Sequence, residues 1–187
     1  MRRAVLLICD GLRTDLVTPE TCPEITRLAR AGRWFARHTA VFPSVTRVST
    51  ASIATGCWPR RHGLPGNWMA LDDGAGPTVR DAGTPEFRDQ MRRALGRTLA
   101  VPTLAQHLAV HGGAIVLANV SPGAAYLHDP DGFGHVYHRA GSLGPGGTAL
   151  APLAIGHDAA GDLAMTEQFC AEVLLERRPA LAVLWLC

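Results

Sequence analysis

The chain contains no lysine. All 18 of its basic residues are arginine, set against 16 acidic ones, which leaves a formal charge of +2. So small an excess does not suggest a surface built to grip nucleic acid or another polyanion. The pairs Arg60-Arg61, Arg92-Arg93 and Arg177-Arg178 are scattered, and with aromatics only 6% of residues they lack partners for base stacking, so they read as solvated faces. Long apolar runs are also missing, which excludes a membrane-spanning helix. Cysteines 9, 22, 57, 170 and 187 show no CxxC spacing and are expected to be reduced thiols serving as small hydrophobes. Met1-Arg2-Arg3 opens like a signal peptide, but the apolar run that follows lasts six residues and no small-residue cleavage site comes after it. A cytoplasmic location is the expectation.

What is present suits a globular α/β protein. A length of 187 residues, 47% of them apolar, fits one domain or a large part of one with a real core. Ala4–Cys9, Ala114–Ala118 and Ala180–Leu186 are short, partly β-branched apolar runs, as strands buried on both faces should be. Helices are expected over Thr21–Ala31, Thr46–Ala54, Glu86–Leu95, Thr103–Val110 and Asp162–Arg177. In the first, Thr21 and Glu24 could form a capping box, with Ile25, Leu28 and Ala29 inward. In the last, Leu163, Phe169, Cys170, Val173 and Leu174 would face the core. Trp34–Phe42 reads as extended and 67–85 as a loop with turn signals at Asp72-Asp73-Gly74 and Gly76-Pro77. Strand and helix alternate, so the expected fold is a mostly parallel sheet flanked by helices, with ligands beyond the carboxyl ends of the strands.

Two residues invite a chemical reading. Asp10 lies just past the first apolar run, where a carboxylate is costly unless it is solvated, bonded or metal-bound; it could equally be a turn residue bonding the backbone of Gly11-Leu12. Thr46 stands among Ser44, Ser49, Thr50 and Ser52 at the start of a helix, whose free N–H groups attract an anion. It could equally be an N-cap. The run Leu127–His138, with His128, Asp129, Asp131, His135 and His138, has no recognised zinc spacing and reads as a polar loop over the active-site face. His107 and His111 have no glutamate placed to form HExxH.

The combination resembles a known family. Asp10-Gly11 after the first strand, then Thr46, then Thr55-Gly56 nine residues on, Pro59, His62-Gly63 and Asn67 is similar to the alkaline phosphatase superfamily, and within it to the type I phosphodiesterase/nucleotide pyrophosphatase branch. The resemblance is sharp over residues 4–67 and diffuse beyond. It implies that residues 1–187 are the N-terminal part of one alkaline phosphatase-like catalytic domain, with 122–152 as a Gly/Pro/His-rich excursion from the sheet. It implies two divalent metal ions, zinc being the expected identity, with Asp10 and Thr46 as ligands. Thr46 would be the nucleophile, forming a phosphothreonine intermediate, and Asn67 would steady a non-bridging phosphoryl oxygen. His62 would be structural. The implied substrate is a small phosphate ester or nucleotide.

Two departures bear on that reading. The branch commonly has Thr-Phe-Pro-Asn where this chain has Thr46-Arg47-Val48-Ser49, so that Arg47 could reach an anion or point to solvent. Its later metal-binding segments, Pro-Asp-x-x-x-His and Asp-His-Gly, do not occur before Cys187, and those ligands are expected beyond it. A non-catalytic protein of this fold, keeping only an anion site, is the alternative. A sulfatase is disfavoured because Thr46 cannot become formylglycine.

Overall fold

The computed structural model describes residues 2–187. A six-stranded sheet carries the fold, in the order β1-β8-β4-β5-β6-β7. β1 (Ala4–Cys9), β8 (Leu181–Leu186), β4 (Ala114–Ala118) and β5 (His135–Tyr137) run parallel, and β6 (Ser142–Leu143) and β7 (Ala149–Leu150) add antiparallel pairs at one edge. The two central strands are apolar throughout because helices cover both of their faces.

On one face, Ile115, Leu117, Ala182 and Leu184 meet Met165, Phe169 and Val173. These come from α7 (Ala159–Gln168) and its π-helical continuation Phe169–Arg177. On the other face, Val116, Val136, Val183 and Trp185 pack against Ala124, Ala125 and Tyr126 of α6 (Pro122–Tyr126). A third apolar cluster joins Val48 and Ala51 of α2 (Thr46–Thr55), Leu64, Phe87 and Met91 of α4 (Phe87–Leu95) to Leu71. Leu71 belongs to a hairpin, β2 (Trp68–Asp72) and β3 (Pro77–Asp81). Thr103 caps α5 (Leu104–Leu108) by accepting from the Gln106 N–H. No described helix is long and apolar enough to cross a membrane.

Several expectations from the sequence need correction. Residues 67–85 are not a loop: on either side of the turn signals they pair as the hairpin, held because Leu71 and Ala82 enter the third cluster. The segment 122–152 does not leave the sheet but returns three strands to it. Trp34–Phe42 forms no strand. The Thr21 capping box is absent, because α1 (Pro23–Ala31) starts on Pro23 with Cys22 at the cap while the Thr21 hydroxyl donates to the Leu16 carbonyl. β1 is not covered on both faces: it is the edge strand, and Val5 and Leu7 are 56% and 50% exposed. α1 accordingly has no buried residue, and Leu28 faces solvent. The last helix starts earlier than Asp162, at an Asp158 cap, and its π-helical turns rotate Cys170 outward; Leu163 is also exposed, while Met165 takes a core position. None of the five cysteines is fully buried, so the thiols do not serve as core packing, although all five are free.

Candidate active site

The carboxyl ends of the parallel strands converge on one rim. Asp10 follows β1 directly, and its N–H donates to the Leu186 carbonyl at 3.0 Å, which registers the end of β1 against the end of β8. Gly11, at φ +73°, then turns the chain off the sheet in a conformation that few other residues adopt without strain. The Asp10 carboxylate does not bond the backbone of Gly11-Leu12. Its Oδ2 instead accepts a long hydrogen bond, 3.4 Å, from the Thr46 hydroxyl. Residues 36 positions apart are thereby placed side by side.

Thr46 is the first residue of α2, not its cap. The cap position is Val45, extended and with no side chain to accept a hydrogen bond, so the opening N–H groups of α2 carry no side-chain cap. No acidic residue lies in that first turn either. The end of the helix that best accommodates an anion is therefore free, with the Thr46 hydroxyl beside it.

The remaining motif residues hold this helix in place. Gly56, in the left-handed conformation, ends α2, and Pro59 opens the short α3 (Pro59–His62). His62 is completely buried. Its Nδ1 accepts from the Leu64 N–H at 3.2 Å, so Nε2 carries the proton and donates to Ser52 Oγ at 2.9 Å. That bond ties α3 to α2. Burial pushes the His62 pKa down, which keeps the ring neutral and suits a structural role.

Asn67 sits at the base of the hairpin, where its carbonyl accepts from the Ala82 N–H at 2.8 Å. Its side-chain Oδ1 is buried without a partner, and Asn67 bonds neither Asp10 nor Thr46. On α2, the residue after Thr46 is Arg47, which the sequence left undecided. Arg47 does not point to bulk solvent: it lies over Gly83, next to Ala82, so closely that a Cβ at Gly83 would collide with the guanidinium.

Further residues at the rim carried no sequence motif. Asn119, fully buried just past β4, donates to Asp162 Oδ1 at 2.9 Å and accepts from Arg139 Nε at 3.1 Å. Asp162 Oδ2 accepts from the Cys187 N–H at 3.0 Å. Only their position after apolar strands, or in the first turn of α7, could have drawn attention to them.

The Leu127–His138 run is not a loop over the site. His128, Asp129 and His138 are buried; Asp129 accepts from the N–H groups of Phe133 and Gly134, and His138 Nε2 bonds the Val120 carbonyl. An apolar cleft bounded by Arg3, Leu104, Leu108, His111 and Leu181 lies at the opposite end of the strands, away from Asp10 and Thr46.

As donors for a hard dication, Asp10 and Thr46 fit in kind, both offering oxygen, and in place. Among the described residues no group of three or more His, Cys, Asp or Glu is arranged to hold a metal, so a second ion has no holder there.

The edge strand thus delivers a carboxylate to a threonine at an uncapped helix start. The chain belongs to the type I phosphodiesterase/nucleotide pyrophosphatase family, whose pattern matches residues 4–107, more than half of its length. Its fold is α/β, a mostly parallel six-stranded sheet flanked by helices. It is similar to the crystal structure of phosphonoacetate hydrolase from Sinorhizobium meliloti 1021 in complex with phosphonoacetate, with a TM-score of 0.59 and 15% identity. The match covers 99% of this chain and 46% of that one, so the chain spans about half the length of that hydrolase. No curated protein matches the chain.

Proposed function

We propose that the chain is the N-terminal part of a metal-dependent hydrolase that cleaves phosphodiester or nucleotide pyrophosphate bonds by attack of Thr46. The observation that carries this reading is the Thr46 hydroxyl, set beside the Asp10 carboxylate at the uncapped start of α2.

The substrate phosphoryl group would lie over the first turn of α2, its charge facing free N–H groups. Thr46 Oγ1 attacks phosphorus, forming a P–O bond as the bond to the leaving oxygen breaks. The hydroxyl proton departs along the hydrogen bond toward Asp10 Oδ2. Asn67, at the hairpin base, would steady a non-bridging oxygen through its amide. Water then cleaves the phosphothreonine and regenerates the hydroxyl. Asp10 and Thr46 would hold one of two divalent ions, zinc being the expected identity, and such an ion supplies charge that favours the threonine alkoxide and the leaving group. Its other ligands would lie outside residues 1–187.

Thr46→Ala and Thr46→Ser in the metal-loaded intact enzyme test the reading. Alanine should abolish turnover of a nitrophenyl phosphodiester with the fold unchanged by circular dichroism, and serine should keep partial activity. Near wild-type turnover in Thr46→Ala would refute it.

A further inference from the structure

The peptide between Leu186 and Cys187 is held on both of its edges. On the β1 side its carbonyl accepts from the Asp10 N–H at 3.0 Å. On the β4 side its N–H donates to Asp162 Oδ2 at 3.0 Å. The second bond is not a rung of the sheet. The Asn119 N–H donates to the Trp185 carbonyl at 3.0 Å, and in a regular parallel ladder the Asn119 carbonyl would then receive the Cys187 N–H. β4 ends at Ala118 and the chain turns off into α6, so a side chain from α7 takes the place of the missing strand.

That side chain is itself fixed. Asp162 stands in the first turn of α7, half-buried, and its Oδ1 accepts from Asn119 Nδ2 at 2.9 Å. Asn119 is fully buried with both ends of its amide engaged. Nδ2 also donates to the Gly156 carbonyl at 3.0 Å, and Oδ1 accepts from Arg139 Nε at 3.1 Å. Those partners assign one orientation to the amide, with a donor aimed at Asp162.

A continuous line of bonds therefore runs from Asp162 through one planar peptide to Asp10, and from Asp10 Oδ2 to the Thr46 hydroxyl at 3.4 Å. The plane transmits position, because its carbonyl edge moves with its N–H edge. It also transmits polarity, since an amide that donates to a carboxylate accepts more strongly at its carbonyl. Asp10 depends on that carbonyl: it ends the edge strand, whose one sheet neighbour is β8.

We infer that Asp162 is a positioning residue, which holds Asp10 against Thr46 through the Leu186–Cys187 peptide. This rests on the reading of Asp10 and Thr46 as the reacting pair. Asp162 bonds neither of them directly. Its loss should spare the binding of an anion over α2 and slow the attack of the Thr46 hydroxyl.

The test compares Asp162→Ala with Asp158→Ala in the intact enzyme. Asp158 caps the same helix, its Oδ1 accepting from the Gly161 N–H at 2.8 Å, so its loss weakens α7 without removing a bond to the Leu186–Cys187 peptide. With metal loaded, Asp162→Ala should lower kcat for a nitrophenyl phosphodiester about tenfold or more and keep KM within about twofold. Asp158→Ala should keep both within about twofold. Hydrogen exchange of the metal-free proteins, resolved to single amides by mass spectrometry, gives a readout independent of turnover. The Asp10 amide should exchange faster in Asp162→Ala than in the wild type, and at the wild-type rate in Asp158→Ala. Asp162→Asn keeps the volume and one acceptor oxygen; it should shift both readouts less, in the same direction, and it carries the comparison if the alanine variant does not fold. Equal kcat losses in the Asp162 and Asp158 variants, unchanged kcat in the Asp162 variants, or unchanged exchange at Asp10 would overturn the inference. Turnover surviving in Thr46→Ala removes the nucleophile assignment instead, and leaves the exchange difference at Asp10 standing.

Discussion

Thr46 Oγ1 and Asp10 Oδ2 lie 3.4 Å apart, although 36 residues separate them and different elements carry them. A threonine that caps its own helix, or an aspartate that closes its own turn, would not meet. Each gave up its local bond: Val45 holds the cap, and the turn at Gly11 forms without the Asp10 side chain. The pairing belongs to the tertiary structure. That makes it the feature on which the functional reading stands.

Asp10→Asn should weaken one metal position more than the other in the intact enzyme, because a neutral amide is a poor ligand for a hard dication. Metal titration of the apo variant, following both positions, checks this. Unchanged occupancy of both would leave Asp10 as a hydrogen-bond partner of Thr46 only.

Residues 1–187 by themselves should bind zinc only weakly. One carboxylate and one hydroxyl fall short of the three or four ligands that hold zinc tightly, and no larger donor cluster occurs among the described residues. Calorimetric titration of this chain should show no tight stoichiometric binding. A tight one-to-one isotherm would mean that other side chains supply ligands.

Gly123→Ala should destabilise the fold by on the order of 2 kcal/mol. Gly123 donates its N–H to the Gly83 carbonyl at 2.9 Å, and a Cβ there would strike the Ala82 carbonyl, where neither backbone can yield cheaply. Thermal unfolding of the variant measures the loss. Because α6 braces the hairpin base, Asn67 and Gly83 should shift as well.

His128 should make the protein sensitive to acid. Burial beside Trp185 pushes its pKa from 6.5 down to about 4, so the folded state holds the ring neutral while the unfolded chain binds a proton. Stability therefore rises with pH between about 4 and 6.5 and is lost as pH falls through that window. The full loss amounts to roughly 3 kcal/mol from this residue. Burial lowers His62 and His138 in the same direction. Acid unfolding of His128→Gln, followed by circular dichroism, should show a shallower dependence over that range than the wild type.

The sheet strands were legible where apolar runs are continuous: Ala114–Ala118 stands as read, and Ala180–Leu186 within a residue, because burial on both faces leaves no alternation to misread. The same logic failed for Ala4–Cys9. An edge strand with the same composition keeps one apolar face open, and sequence alone does not distinguish edge from centre. The final strand lies between β1 and β4, so the order of the parallel strands does not follow chain order. The hairpin was missed because its strands are five residues each and meet at the turn signals Asp72-Asp73-Gly74 and Gly76-Pro77, and Leu71 alone among the strand residues is fully buried. At the candidate site, Asp10, Thr46 and Asn67 were singled out by a pattern of spacing; the fold brings Asp10 and Thr46 together and leaves the Asn67 side chain bonded to neither. Arg47 was visible only as a departure from it. Its contact with Gly83 joins residues far apart in sequence that no motif connects.

The central claim is that Thr46 carries the phosphoryl group during turnover. Acid-quenching the metal-loaded intact enzyme during turnover of a nitrophenyl phosphodiester, then mass spectrometry of the peptide containing residues 46–55, tests this most directly. The account predicts a phosphoryl adduct on Thr46 that forms with substrate and disappears as substrate is exhausted. Steady turnover with unmodified Thr46 in wild type, together with undiminished turnover in Thr46→Ala, would contradict it.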